Sequence, residues 1–196
     1  MELENLSIGL AITGSFCNFS EVKGVIDSLK EQKVKKIIPI ISDSVKQMDT
    51  RFYKAKDFYK MLEENTKQNV IDSIVKAEAV GPKKLVDVIL VCPCTGNTLA
   101  KLANGIIDTP VLMAIKSHLR NNKTVVIGVS TNDGLGKSFR NIAELMDTKN
   151  IYFVPFRQDD YVGKPKSLVL DYSCIIDTLK LALHGEQMQP VLARIK

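Results

Sequence analysis

A run of apolar residues near the middle of the chain constrains the fold more than any other feature. Residues 86–92, VDVILVC, are long enough for a strand, and every residue after Asp87 is apolar. A strand without alternating polar residues is typical of the centre of a parallel sheet, where helices cover both faces. We therefore expect this segment to be a central strand.

Segments on both sides of this strand alternate between strand and helix patterns. Strand-length apolar runs occupy 6–13, 34–42, 124–130, 151–155 and the start of 167–185, and helical spacing occupies 18–32, 53–65, 97 onward, 110–122, 137–147 and the rest of 167–185. This order predicts a single α/β domain, a doubly wound, flavodoxin- or Rossmann-like parallel sheet with helices on both faces. We place the domain at 1–184 and expect a C-terminal tail at 185–196.

Three details of the order are less regular. Pro39 removes a ladder donor, so the second strand is expected to end there or to lie at a sheet edge. Thr109 and Pro110 predict a helix start, with Asp108 or Thr109 as its cap. Residues 70–84 fit no single pattern.

Composition excludes several classes of protein. A length of 196 residues, with 45% hydrophobic and 25% charged residues, fits one folded domain. Only 6% of the residues are aromatic and the net charge of +5 is spread along the chain, so we expect no nucleic-acid partner. No apolar run reaches the roughly 20 residues that span a bilayer, and the first residues do not form a secretory leader. We expect a cytoplasmic protein with no membrane partner.

The cysteines and histidines do not indicate a metal site. Four cysteines suit a reducing compartment better than a disulfide framework. Cys92 and Cys94 have neither redox-pair nor zinc spacing, and we interpret them as small buried groups. His118 and His184 lie near predicted helix ends and are interpreted as partners of those ends rather than as bases. We expect no metal and assign no catalytic residue.

Ligands of open parallel sheets bind beyond the carboxyl ends of the strands, so the loops there carry the candidate site. The first of these loops, TGSFCNFSE at 13–21, places Gly14 between two hydroxyls, and Asn18 with Glu21 is expected to cap the next helix. Backbone N–H groups at such a turn bind anions. The loop is neither a Walker A nor a Gly-x-Gly-x-x-Gly motif, which favours a single phosphate monoester. A turn that merely caps a helix explains this pattern equally well.

The loop after the central strand begins the segment PCTGNTLAKLANGIID at 93–108. Thr95, Asn97 and Thr98 offer amide and hydroxyl groups to the edge of a flat heterocycle. Gly96 lets a backbone approach closely. A capped helix with a small-residue packing face remains the alternative, because spacing alone does not reject it.

This segment closely resembles the Pro-Ala-Ser-Ala-Asn-Thr signature of the flavin mononucleotide (FMN)-binding flavoprotein family, which includes cysteine decarboxylases. Thr-Gly-Ser at 13–15 resembles the phosphate loop of that family, and the likeness extends approximately from Ile8 to Phe156. The resemblance implies FMN as the cofactor. It also implies the cofactor-binding residues, which are Thr13, Gly14, Ser15 and Ser42 for the phosphate and Thr95, Gly96, Asn97 and Thr98 for the isoalloxazine ring.

A closer likeness to one branch of this family rests on TRF at 50–52, DSIVKAE at 72–78, NGIIDTPVLMA at 104–114, STNDGLG at 130–136 and TKNIYFVPFRQDD at 148–160. Members of that branch form one component of an oxidoreductase that has two different subunits. The resemblance implies a partner subunit that binds NAD(P)H, a dihydropyridine dicarboxylate substrate that becomes aromatic, and a homo-oligomer built from trimers.

A dicarboxylate substrate requires cationic partners, and arginine suits a carboxylate best because its planar fork donates two parallel hydrogen bonds. Arg51 and Arg157 are the first candidates, because their surroundings carry the closest likeness, and Lys137 and Arg140 follow. The resemblance implies that Asn132 faces the substrate.

Two departures from the decarboxylase pattern argue against cysteine decarboxylation. AEAVGPKKLVDV at 77–88 lacks the histidine that decarboxylating members carry there, and Ser130, Thr131 and Asn132 replace their Pro-x-Met-Asn clamp with only the asparagine kept. A flavin-dependent decarboxylase, a flavin prenyltransferase and a non-catalytic flavin-binding scaffold protein remain alternatives. The prenyltransferase would require a prenyl phosphate site, and no basic motif indicates one.

Overall fold

A mostly parallel sheet of seven strands forms the centre of the computed structural model, which describes residues 2–193. The strands are β1 (Ser7–Ile12), β2 (Lys36–Ile41), β3 (Val88–Cys94), β4 (Thr124–Thr131), β5 (Ile151–Phe153), β6 (Phe156–Arg157) and β7 (Leu168–Leu170). The neighbouring strands β2, β1, β3 and β4 are parallel, and β5 pairs in parallel with the first half of β4. The predicted α/β fold with a central parallel sheet is confirmed.

Two antiparallel strands extend this sheet, which the sequence pattern did not indicate. β7 pairs with the end of β4, and β6 pairs with β7, both in antiparallel register. Residues 158–167 between β6 and β7 form no helix. A parallel connection requires a crossover of a dozen or more residues, so this shorter return produces an antiparallel pair.

Eight helices cover the two faces of the sheet in the described part of the chain. They are α1 (Phe19–Glu31), α2 (Asp43–Gln47), α3 (Ala55–Thr66), α4 (Ile74–Glu78), α5 (Gly96–Ala103), α6 (Pro110–Leu119), α7 (Ser138–Met146) and α8 (Ile175–Ala182). Side chains of α1, α3 and α8 pack with one set of strand residues, and those of α4 to α7 pack with the other set. Successive strand residues such as Leu10 and Ala11 therefore belong to opposite layers, as the pleat requires.

The boundaries of several elements explain the irregular parts of the sequence. β2 is an edge strand, as Pro39 predicted, and Ile71 continues the sheet beyond it by donating to the Pro39 carbonyl and accepting from the Ile41 N–H. Residues 70–84 thus combine this single bridge with the short helix α4. Thr109 rather than Asp108 caps α6, because its side chain accepts from the Leu112 N–H.

The segment that follows α8 packs against the sheet as far as the structure describes it. The Gln187 side chain bonds both backbone groups of Phe153, and Leu192 pairs with Phe156. Residues 194–196 of the predicted tail lie outside the described residues. Within residues 2–193, no helix has both the length and the apolar character that a membrane span requires.

Candidate functional site

A cleft of about 430 Å³ lies at the carboxyl ends of β1, β2 and β3, where ligands of open parallel sheets bind. Its lining consists of Thr13, Gly14, Phe16, Ser42, Asp43, Ser44, Thr95, Asn97, Thr98, Lys101, Asp108 and Thr109. Ser42, Thr95 and Thr109 are the N-cap residues of α2, α5 and α6. Three helix starts therefore border one cleft, and the first N–H groups of a helix have no intrahelical acceptor.

Gly14, Ser42 and Ser44 border one end of the cleft, called the oxyanion end below. Gly14 has no side chain, and a Cβ at this position would lie 2.9 Å from the Ser44 hydroxyl oxygen. The Ser42 and Ser44 hydroxyl oxygens lie 3.0 Å apart in the first turn of α2. The Ser42 and Ser44 hydroxyls thus border a space that a side chain at position 14 would occupy.

Thr13 borders the same end, but its hydroxyl is already used within the protein. The side chain is 1% exposed. Its Oγ1 donates to the Pro93 carbonyl at 2.9 Å and accepts from the Thr95 N–H at 2.9 Å. Thr13 therefore joins the ends of β1 and β3, an arrangement that the sequence pattern did not indicate.

Ser15 and Asn18 are directed towards β4. The Ser15 hydroxyl donates to Ser130 Oγ at 2.9 Å, and the Asn18 amide donates to the same oxygen at 2.7 Å. Asn18 occupies the N-cap position of α1, as predicted, but its side chain makes no cap bond and reaches across to β4 instead. Ser15 is not among the residues that line the cleft.

The second side of the cleft is formed by the start of α5. Thr95 Oγ1 accepts from the Thr98 N–H at 3.2 Å and lies 3.1 Å from Thr98 Oγ1. The hydroxyls of these two residues therefore bond mainly to each other and to the first turn of α5. Asn97 is exposed and lines the cleft, and its amide bonds no other residue of the described chain. The Asn97 amide is therefore available to a ligand.

The sequence suggested that Gly96 lets a ligand approach the backbone, but in the structure the missing side chain makes room for β4 and α7. A Cβ at Gly96 would lie 2.7 Å from Ser138 Oγ and 2.8 Å from Thr131 Oγ1. Gly96 is not among the cleft-lining residues. It allows the start of α5 to pack closely against the end of β4 and the start of α7.

Charged residues that sequence reasoning missed complete the lining. Lys101 is the single cation among the lining residues that the structure describes, and its Nζ lies 2.6 Å from Asp108 Oδ2. Asp43 adds a second carboxylate. Lys101 lies four residues after Asn97, hence on the same helix face, which is a signal that the sequence did contain. Phe16, Ser44 and Thr109 were also missed.

Comparison with known proteins gives the same assignment as the motifs. The Flavoprotein family model matches residues 1–155, more than half of the chain. This chain belongs to the Flavoprotein family. It is 43% identical over 190 residues to the dipicolinate synthase B subunit of Bacillus subtilis (strain 168), covering 97% of this chain and 94% of that protein. The predicted resemblance is confirmed.

Two solved structures are similar to this member of the Flavoprotein family. The crystal structure of the dipicolinate synthase B subunit from Bacillus halodurans C is similar at a TM-score of 0.89 and 42% identity, with 99% of each chain covered. The FMN-dependent cysteine decarboxylase SpaF has a TM-score of 0.69 at 21% identity, covering 92% of this chain and 98% of that one. The second likeness concerns the fold alone.

The residues that sequence reasoning assigned to the substrate lie outside this flavoprotein cleft. Arg51, Asn132 and Arg157 are exposed, and none of them is a lining residue. The Arg51 guanidinium carbon lies 4.8 Å from the centre of the Phe52 ring. Lys137 and Arg140, at the start of α7, are exposed as well. Their assignment to substrate binding stays a prediction.

Neither histidine lines the cleft, and the buried thiols are protonated. Burial raises the pKa of Cys92 and of Cys94 far above the ordinary value, which suits inert core groups. Burial lowers the pKa of His118 to about 4. His118 lies in the last turn of α6, where it was expected, but it is neutral at pH 7 and adds no charge to that helix end. His184 follows α8 and lies outside the lining as well.

Proposed function

We propose that this protein is the FMN-binding component of a dipicolinate synthase that has two different subunits. It would act in the cytoplasm with the dipicolinate synthase A subunit, which binds NAD(P)H, to convert dihydrodipicolinate to dipicolinate (pyridine-2,6-dicarboxylate) during sporulation. The observation that carries this proposal is the near full-length identity of 43% to a dipicolinate synthase B subunit. The cleft adds support, because it combines an oxyanion end with a free amide on a second helix.

The cleft residues fit FMN in two groups. Gly14, Ser42 and Ser44 would hold the phosphate, because the space over Gly14 is bordered by hydroxyls and by the start of α2. The one lining cation in the described chain, Lys101, is already paired with Asp108, so neutral N–H and hydroxyl donors are left to bind the phosphate. Asn97 would bond the edge of the isoalloxazine ring. When bound, FMN supplies the capacity to accept or relay the hydride removed from the substrate.

The remaining predicted cofactor residues would act by supporting this arrangement. Thr95 and Thr98 fix the first turn of α5, and Gly96 sets how closely that turn approaches β4. Ser15 ties the phosphate loop to Ser130. Thr13 joins the ends of β1 and β3. Every residue of the predicted set thus has a contact role or a supporting role in this proposal.

The substrate side of the site is completed in our proposal by a neighbouring copy. Arg51 lies between α2 and α3, Asn132 directly follows β4, and Arg157 is the last residue of β6; none of them lines the cleft of its own chain. A homo-oligomer built from trimers would allow one of these side chains to reach the dicarboxylate bound next to the flavin of another copy. A solution mass of a monomer alone would contradict this arrangement.

Flavin-dependent decarboxylation is the second candidate, because the family that the motifs resemble includes cysteine decarboxylases. Its requirement for an active-site base is not met by a histidine, because neither histidine lines the cleft. A non-catalytic flavin-binding scaffold is the third. A decarboxylase would turn over a cysteinyl substrate. A scaffold would support synthase turnover that does not depend on bound flavin.

A titration of the purified protein with FMN tests the cofactor. The absorption band of FMN is expected to shift and its fluorescence to change on binding to the wild type. Gly14→Asp places a carboxylate in the oxyanion end and is expected to abolish binding, whereas Gly24→Asp adds the same charge where a Cβ meets nothing within 4 Å. Wild-type protein that leaves the FMN signals unchanged would overturn the proposal.

Reconstitution with the NAD(P)H-binding partner tests the reaction. Asn97→Asp replaces the free amide by a carboxylate and is expected to lower both FMN affinity and dipicolinate formation. Asn104→Asp, at the other end of the same helix and outside the cleft lining, serves as its control. Unchanged dipicolinate formation in variants that have lost FMN would reject a catalytic flavin and favour the scaffold.

A further inference from the structure

Thr13 stands at the junction of the two groups of residues that line the cleft. Its N–H donates to the Pro93 carbonyl at 3.2 Å and its hydroxyl donates to the same carbonyl at 2.9 Å. The hydroxyl oxygen also accepts from the Thr95 N–H at 2.9 Å. One side chain thus uses its proton to bond Pro93 near the end of β3 and a lone pair to bond Thr95 just after it, at ordinary hydrogen-bond lengths.

These bonds continue the sheet where the regular ladder stops. The paired residues of β1 and β3 run from Ile8–Val88 to Ala11–Val91, and the register between β3 and β4 shifts between Val91 and Cys94. Thr13 and Pro93 lie beyond the last of these β1–β3 pairs. The positions of the two strand ends relative to each other therefore depend on the bonds of Thr13.

Each strand end leads directly into one half of the cleft. Gly14 directly follows Thr13 and lines the oxyanion end of the cleft. Thr95 caps α5 through the Thr98 N–H and so orients Asn97 in the first turn. A change in the distance between Thr13 and Thr95 would move the oxyanion end relative to the Asn97 amide.

We propose that Thr13 is a positioning residue that couples the phosphate end of the cleft to its ring end, and that it is not itself a ligand of the cofactor. This inference rests on the proposed function, because FMN is the ligand that spans both ends. A ligand that makes two separated contacts binds best when the spacing between them is fixed beforehand. Without the Thr13 hydroxyl, the Thr95 N–H loses its acceptor, and cofactor binding has to fix the spacing between the two ends of the cleft.

Three variants separate positioning from general stability. Thr13→Val removes the hydroxyl at nearly constant shape, and Thr13→Ser restores it. Thr178→Val is the matched control, because Thr178 is also fully buried and donates to a carbonyl, that of Cys174, at 2.6 Å, but on α8. Thr13→Ala repeats the comparison if Thr13→Val does not fold.

Two measurements on the full chain are required. We expect Thr13→Val to raise the FMN dissociation constant about tenfold or more, while Thr13→Ser stays within about threefold of wild type and Thr178→Val leaves the constant unchanged. We also expect amide hydrogen exchange at 95–98 to become faster in Thr13→Val without any ligand, and to stay unchanged in Thr178→Val.

The outcomes distinguish this inference from the function on which it rests. Wild-type protein that fails to bind FMN overturns the proposed function, and the exchange measurement on free protein still decides the role of Thr13. Unchanged exchange at 95–98 in Thr13→Val, or an unchanged FMN dissociation constant beside normal wild-type binding, overturns the positioning role. Weak FMN binding in Thr13→Val beside unchanged exchange at 95–98 would identify the Thr13 hydroxyl as a direct ligand and overturn the positioning role.

Discussion

At the scale of single residues, His118 is the buried titratable group with the clearest consequence for stability. It is 1% exposed, near the end of α6, and its Nε2 has no hydrogen-bond partner in the described chain. Desolvation lowers its pKa to about 4, with a smaller contribution from the charge of Lys123. The folded protein therefore holds a neutral imidazole throughout the pH range in which a free histidine titrates.

Acidification from pH 7 to pH 4 is expected to destabilise the protein through His118. The unfolded chain binds the proton near pH 6.5, whereas the folded chain binds it only near pH 4. The unfolded state thus holds more protons between these values, and the free energy of unfolding falls as the pH falls, by up to about 3 kcal/mol. Urea unfolding of wild type and His118→Phe at several pH values measures this effect.

Comparing the pH dependence of the free energy of unfolding of wild type and His118→Phe separates the effect of the histidine from that of the carboxylates, which titrate in both proteins. His118→Phe is expected to lose less stability than wild type between pH 6.5 and pH 4. Parallel curves for wild type and His118→Phe would show that burial of His118 does not perturb its titration.

Single residues also show what the sequence predicts about the site and what it does not. Gly14, Ser42 and Asn97, which the motifs indicated, all line the cleft, because the positions of the strand ends follow from the order of strands and helices. The motifs did not distinguish polar groups that are free to bind a ligand from those that are already hydrogen-bonded within the protein. Thr13 finds its partners 80 and 82 residues away, at the end of another strand, and no local pattern encodes that choice.

At the scale of elements, α2 depends on contacts outside itself. It has five residues, too few for a helix to persist on its own, yet it carries Ser44 at the oxyanion end of the cleft. Lys46 near its end contacts Asp72 Oδ2 at 3.0 Å, and Lys76 of α4 contacts Asp72 Oδ1 at 2.6 Å. Asp72 is only 9% exposed, so this carboxylate connects α2 to α4 at the edge of the sheet.

Asp72→Asn is expected to loosen α2 and to weaken FMN binding. Burial alone would raise the pKa of Asp72, but hydrogen bonds from Lys76 and Lys46 outweigh it and hold the pKa below the ordinary value. The carboxylate is therefore charged at pH 7, and its loss is expected to cost about 1–2 kcal/mol, since both lysines are partly exposed. Urea unfolding and FMN titration measure the two effects.

Asp27→Asn is the matched control for this prediction. Asp27 also contacts two lysines, Lys23 at 3.3 Å and Lys30 at 3.6 Å, but its side chain is 46% exposed. Its loss is expected to change stability by less than about 1 kcal/mol and to leave FMN binding unchanged. Equal effects of the two substitutions would remove the argument that Asp72 supports the cleft.

The elements that the sequence predicted are those with long, regular patterns. β1, β3 and β4 and the helices α1, α3 and α6 follow from apolar runs and helical spacing. The short elements α2, α4 and β6 were not predicted, because their few residues are held by tertiary contacts such as those of Asp72 and Ile71 rather than by their own pattern. Much of the cleft lining comes from loops and first turns of this kind, which limits how far the site follows from sequence.

At the scale of the whole molecule, the C-terminal segment closes one side of the sheet. The Gln187 side chain accepts from the Phe153 N–H at 2.8 Å and donates to its carbonyl at 2.7 Å, so it satisfies the outer edge of β5. Residues 191–193 then pair with β6, where the Phe156 N–H donates to the Val191 carbonyl and the Ala193 N–H donates to the Phe156 carbonyl. Unpaired edges of this kind invite association between chains, and the segment covers them.

Truncation after Gly185 is expected to destabilise the protein and to promote self-association while leaving the flavin cleft intact. The shortened chain loses four hydrogen bonds to β5 and β6, two through Gln187 and two through residues 191–193, worth about 2–4 kcal/mol together. Gln187→Ala removes only the first two and is expected to cost about half as much. No described residue after Gly185 lines the cleft, so FMN should still bind the folded fraction with wild-type affinity. Urea unfolding, light scattering and FMN titration distinguish the outcomes, and a truncated chain as stable and as monodisperse as wild type would show that the segment does not protect the sheet edge.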